Sequence, residues 1–167
     1  MAHGHQLLGG VHGTKAFLPH LKASGEGHVV NLSSVSGLIG VPTQSAYNAA
    51  KFAVRGFTDA LRMELEIEGA CVSATTIHPG GIKTNIARRA RIDPSVEKFG
   101  RSATDVNEFD RLARTTPEEA ARQILRAVER NRRRALVGPD AKAIDLLSRL
   151  PAALVQRLLV FGTRRRR

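Results

Sequence analysis

The sequence predicts an α/β fold, a parallel sheet of about three strands flanked by helices. Three observations predict it: short apolar runs closed by glycine, serine or proline, longer stretches of helical periodicity between them, and regular alternation of the two along the chain. With 167 residues, 42% of them apolar and 25% charged, there is core for one domain. That domain divides into a sheet-and-helix core over 1–138 and a C-terminal amphipathic helical segment with an arginine tail over 139–167.

Leu7, Leu8, Val11, Thr14, Phe17, Leu18 and Leu21 keep helical spacing, and Gly25-Glu26-Gly27 stops that first helix. Residues 28–32, His-Val-Val-Asn-Leu, form the short apolar run of a buried parallel strand. Serines and glycines follow at once, so 33–40 is a loop at the carboxyl end of that strand. From 43 to about 68, Ala46, Ala50, Ala53, Phe57, Ala60, Leu61 and Leu65 mark a long helix whose small residues permit close approach of a neighbour. A second strand over about 71–77 runs into His78-Pro79-Gly80-Gly81, where proline and glycine force a second loop.

Residues 82–115 are polar and poorly periodic, and read as an excursion. Thr116-Pro117-Glu118-Glu119 then opens a helix, with Thr116 as N-cap and Glu119 placed to complete a capping box; its expected core face is Ala121, Ile124, Leu125 and Val128. A third strand over 135–137 is closed by Gly138-Pro139. Sheets of this kind place a strand before the first helix, so a chain that opens with a helix is read as the later part of such a fold.

Charge is distributed unevenly. Residues 1–80 carry five basic and five acidic side chains, so the net +11 belongs to 81–167, with clusters at Arg88, Arg89 and Arg91, at Arg130 and 132–134, and at 164–167. Such clusters attract polyanions, but the chain has no Trp, one Tyr, and no finger or paired-aromatic motif, so no specific nucleic-acid recognition is expected. The apolar stretch 146–161, broken by Arg149, Pro151 and Arg157, suits a membrane surface or a groove on protein; of the two, packing against protein is preferred. No run of about 20 apolar residues occurs and 1–6 does not read as a secretory leader, so a cytoplasmic location is the default expectation. Cys71, the one cysteine, is expected to pack in mid-strand as a small apolar residue, and excludes an internal disulfide. His3 and His5 are a loose candidate pair for a metal, read instead as solvated; the other histidines are read as structural, and no metal site is expected.

The chemistry-bearing residues cluster at strand ends. Tyr47 and Lys51, four apart on a helix, present phenol and ammonium on one face. A nearby cation favours phenolate, the condition for a phenol to exchange protons near neutral pH. Ser34 stands 13 residues before Tyr47 in the loop after a strand, and the next strand ends at Pro79-Gly80-Gly81-Ile82-Lys83-Thr84. Strand ends are where open α/β sheets bind ligands.

These segments together, Ser34 with its interval to Tyr47, Tyr47-Asn48-Ala49-Ala50-Lys51 with Phe52-Ala53-Val54-Arg55-Gly56-Phe57 behind it, and Pro79-Gly80 with Thr84, resemble the short-chain dehydrogenase/reductase family over about 7–90. The resemblance implies a partial Rossmann-like sheet and NAD or NADP as cofactor for interconverting alcohols and carbonyls. It implies Tyr47 as general acid/base, Lys51 as its tuner and ribose ligand, and Ser34 as hydrogen-bond partner of the substrate oxygen. Pro79, Gly80 and Ile82 by their backbone, and Thr84 by its hydroxyl, would meet the nicotinamide end. It also implies a homo-oligomer, and 82–115 as the segment over the substrate.

The pattern breaks in two places. The family's Thr-Gly-x-x-x-Gly-x-Gly pyrophosphate turn does not occur in the 167 residues, and Gly4, Gly9, Gly10 and Gly13 lack its spacing. The asparagine that often joins the proton relay would fall near Gln6. A catalytically silent remnant that dimerises or binds is therefore the alternative reading.

Overall fold

The computed structural model describes residues 2–86 and 113–164. In chain order the elements are α1 (Ala2–Ala23), β1 (Gly27–Leu32), a 3-10 turn (Val35–Gly37), α2 (Ser45–Ile67), β2 (Val72–Pro79), α3 (Pro117–Glu129), β3 (Arg134–Val137), α4 (Pro139–Ser148) and α5 (Ala152–Arg164). The strands pair in parallel in the order β1-β2-β3, with Gly27 opposite Val72 and Thr76 opposite Arg134. The α/β class, the parallel sheet and the alternation expected from the sequence are all present among the described residues.

Period-2 alternation on β2 separates two cores. Val72 and Ala74 join Val29, Leu61 and Leu65 on the α2 side, with Leu18, Leu21 and Phe57 packed against them. Ile77 points the other way, onto Ala120, Ala127, Ala135 and Val137. Buried Arg62 ties the layers at the far end of the sheet, donating to the Ala74 carbonyl at 2.9 Å, to Glu66 at 2.8 Å and to the Asn131 carbonyl at 3.3 Å.

Several expected faces are rotated. On α1, Leu8 and Phe17 point to solvent, while Thr14 is buried and Leu18 and Leu21 pack on the core. On α2, Ala46 is exposed and the buried stripe is Ala50, Val54, Thr58, Leu61 and Leu65. On α3, Ala121 and Leu125 face outward and the core contacts are Ala120, Ile124 and Ala127. Gln123 explains that phase: its Oε1 accepts the Gly138 N–H at 3.1 Å, which fixes the inward edge of the helix at the end of β3. Thr116 does cap α3, accepting the Glu119 N–H at 3.2 Å, but the Glu119 carboxylate turns along the helix to Arg122 and Gln123 rather than back to the cap.

Cys71 is corrected too. The strand begins one residue later, and Cys71 is exposed, its thiol directed at the Lys22 carbonyl. β2 in turn outruns its expected end, because His78 and Pro79 still pair with Leu136 and Val137. The clusters at Arg88, Arg89, Arg91 and 165–167, most of the 82–115 excursion, and the side chains of His3, His5 and Gln6 lie outside the described residues. No described helix is long and apolar enough to cross a membrane, and no metal-binding group of three or more His, Cys, Asp or Glu occurs among the described residues.

Candidate active site

The carboxyl end of β1 is built around a glycine. Ser33 continues the pairing by donating its N–H to the Ile77 carbonyl at 2.8 Å, and its Oγ donates to the Lys51 carbonyl at 2.8 Å. The chain then enters the 3-10 turn, which Ser34 caps by accepting the Ser36 N–H at 3.2 Å. A Cβ on Gly37 would lie 2.3 Å from Ser33 Oγ and 2.8 Å from the Lys51 carbonyl oxygen, so only glycine lets this turn sit directly on α2. Capping uses the Ser34 oxygen as acceptor and leaves its O–H as a donor.

On α2, Lys51 and Tyr47 meet as their spacing predicts. The Lys51 Nζ lies 5.5 Å from the Tyr47 ring centroid and donates to the Leu32 carbonyl at 3.0 Å. The ammonium thus joins the tyrosine ring to the last residue of β1, two residues before Ser34. Partial burial costs the charged form and lowers the Lys51 pKa below 10.5. Asn48, buried between them in sequence, donates to the Val41 carbonyl at 2.8 Å and holds the approach to the helix.

The second strand end is coupled to the first by His78, a residue read only as structural. It is fully buried, and its Nδ1 lies 2.8 Å from the Ser34 carbonyl. A carbonyl only accepts, so Nδ1 carries the proton and the neutral ring keeps its lone pair at Nε2, which is buried and has no hydrogen-bond partner among the described residues. Burial lowers the His78 pKa below 6.5, against the opposing pull of that hydrogen bond.

Beyond Pro79 the loop is fixed from below. The Asp140 carboxylate accepts the Gly81 N–H at 2.5 Å and would collide with any Cβ on Gly80. Gly80 donates to the Val137 carbonyl at 3.0 Å and Lys83 to the Thr115 carbonyl at 2.9 Å. Ile82 bridges Thr115, yet its own N–H and C=O take no part in these bonds. Thr84 is exposed and farther along, with no bond among the described residues tying it to the group. Sequence reasoning missed Asp140 and the role of His78. The available signals were an acid in the first turn of a helix after Gly138-Pro139, and a histidine directly before Pro79-Gly80.

These residues suit the nicotinamide–ribose end of a dinucleotide. Leu32 takes one of the three N–H donors of Lys51, leaving donors for hydroxyls, and the Ile82 N–H and C=O, outside the backbone hydrogen bonds found among the described residues, are a donor and an acceptor of the kind a carboxamide pairs with. Nothing in the 167 residues supplies a glycine-rich pyrophosphate turn.

A family model described as short chain dehydrogenase matches residues 5–95. SadH of Mycobacterium tuberculosis is 52% identical over 155 residues, covering 92% of this chain and 55% of that protein. Dehydrogenase/reductase SDR family member 7B of Xenopus laevis is 40% identical over 124 residues, 74% of this chain and 36% of that one. The chain spans about half the length of the curated relatives it matches, or less. Among solved structures, a short chain dehydrogenase/reductase from Burkholderia phymatum in complex with NAD aligns with a TM-score of 0.75 at 25% identity, over 87% of this chain and 55% of that one. A short chain dehydrogenase from Burkholderia cenocepacia in complex with NADP shares the fold, with a TM-score of 0.71 at 23% identity, over 94% of this chain and 57% of that one.

Proposed function

The chain belongs to the short-chain dehydrogenase family, and on that premise we propose that Ser34, Tyr47 and Lys51 form the reactive end of an NAD- or NADP-dependent site for interconverting alcohols and carbonyls. The observation that carries this reading is the Lys51 ammonium held between the Tyr47 ring and the Leu32 carbonyl, beside the loop that bears Ser34.

Bound nicotinamide would supply or accept the hydride at the substrate carbon. The chain's own residues then handle the oxygen. Tyr47 gives or takes the proton there, and the Ser34 O–H steadies the charge that develops on the oxygen. Lys51, already partly stripped of water, lends positive potential to the phenol and its remaining N–H donors to ribose hydroxyls. Pro79, Gly80 and Ile82 offer backbone to the carboxamide, with the Thr84 hydroxyl behind them, and Asp140 keeps that loop in place.

The test is carbonyl reduction by NADH or NADPH across a panel of aldehydes and ketones. Tyr47→Phe is expected to lower the rate by roughly 10²-fold or more, the contribution of a positioned acid. Equal rates for the variant and the parent chain would refute the assignment. A second reading, a silent remnant that dimerises or binds without holding a dinucleotide, is favoured by the lack of a glycine-rich turn in the 167 residues; no saturation by NADH or NADPH at millimolar concentration would select it.

A further inference from the structure

The C-terminal helix is the least covered element of the fold. In α5, Val155 is buried, whereas Leu154, Leu158 and Val160 are 46%, 50% and 46% exposed. Leu154 and Leu158 are one turn apart and form an outward apolar stripe, beside the inward edge set by Val155 and half-buried Leu159. Arg157 and Arg164, both exposed, lie two turns apart along one flank of that stripe. From Arg149 to Arg167 the sequence holds six arginines and no Asp or Glu.

We propose that α5 docks this chain onto an anionic lipid surface, lying in the interface with Leu154 and Leu158 inserted and the arginines at headgroup level. At 13 residues the helix is too short to span a bilayer, but it has the apolar stripe and one-sign polar flank of an interfacial helix. Charge decides the occupant. A second copy packed through the same face would bring two sets of these arginines together, whereas a bilayer rich in acidic headgroups neutralises them and offers hydrocarbon to the leucines. Arg157 and Arg164 have aliphatic stems long enough to keep their guanidinium groups at the phosphates while the leucines sit deeper.

The experiment is co-sedimentation of the whole chain with vesicles of phosphatidylcholine alone or mixed with phosphatidylglycerol, over a salt series. Binding is expected only to the mixed vesicles, weakening steeply as salt rises. Arg157→Gln with Arg164→Gln should weaken it by about tenfold or more, since each arginine near an acidic surface contributes about fivefold. Leu154→Gln with Leu158→Gln keeps every charge and alters side chains already in solvent, and it too should weaken binding by about tenfold or more. Arg130→Gln with Arg132→Gln removes the same charge from the turn before β3 and should change binding less than twofold. Equal binding by the leucine variant, or equal loss in the Arg130 and Arg132 variant, would mean general attraction of a +11 chain and overturn the proposal. So would equal affinity for neutral vesicles, no vesicle binding at all, or a leucine-dependent dimer in sedimentation velocity without vesicle binding.

Discussion

His78 connects the two strand ends that form the candidate site. Replacing it by Leu removes the donor to the Ser34 carbonyl from a fully buried position, and is expected to cost about 1–3 kcal/mol of folding stability in denaturant titration. Asn at 78, which keeps an N–H near the position of Nδ1, should recover part of that loss. The pH dependence follows from the lowered pKa. Below pH 6.5 the unfolded chain binds a proton that folded His78 resists, so stability falls as pH drops from 6.5 toward the folded value and is flat above it. Arg134 and Arg55 deepen this effect and Asp59 opposes it. Half-buried His28, lowered in the same direction, adds to the slope, while Glu66, Glu118 and Glu119, lowered from 4.5, act only below it. His78→Asn should therefore flatten the stability profile between pH 6.5 and 4.5, and an unchanged slope would contradict the role given to this ring. At this scale the sequence made the Tyr47–Lys51 contact legible, since helical spacing alone brings the two together. It concealed His78 and Asp140, whose partners, the Ser34 carbonyl and the Gly81 N–H, lie 44 and 59 residues away along the chain.

Among the elements, the contact between the 3-10 turn and α2 sets the site. Gly37→Ala places a methyl against Ser33 Oγ and the Lys51 carbonyl, and is expected to destabilise the chain by about 1–3 kcal/mol and to displace the turn bearing Ser34. Thermal denaturation measures the first effect, and an unchanged midpoint would show that the turn can move away without cost. Element types and strand ends were readable because apolar runs, glycines and Thr116-Pro117 are local signals. Helix faces were read less well. Leu125 and Phe17 look like core residues by type, yet alanines and Thr14 occupy the contacts, because close helix–sheet approach at these points favours small side chains. The end of β2 was hidden for another reason: Pro79 signals a turn locally, while pairing with Val137 extends the strand to it.

On the whole-molecule scale, β1 is one of the two edges of the sheet among the described residues. It pairs with β2 on one edge, carries no charged side chain or proline from Gly27 to Leu32, and leaves Val30 and Leu32 38% and 54% exposed. An unprotected edge of this kind invites pairing with another chain. Self-association that rises with concentration is expected in sedimentation velocity, and Val30→Lys should suppress it; a parent chain that stays monomeric at high concentration would contradict this. The three-stranded parallel sheet was legible in the sequence from the order of elements, and the chain spans 55% of the length of SadH.

The most direct test follows backbone amide resonances while the chain is titrated with reduced nicotinamide mononucleotide, the half of the cofactor for which these residues have groups. Saturable shifts at Leu32, Ser34, Tyr47, Lys51, Gly81 and Ile82, with Kd on the order of millimolar and loss of the response in Lys51→Met, are the expected result. Shifts confined to the arginine-rich turn before β3, or no saturation at any soluble concentration, would contradict the placing of a nicotinamide site at these strand ends.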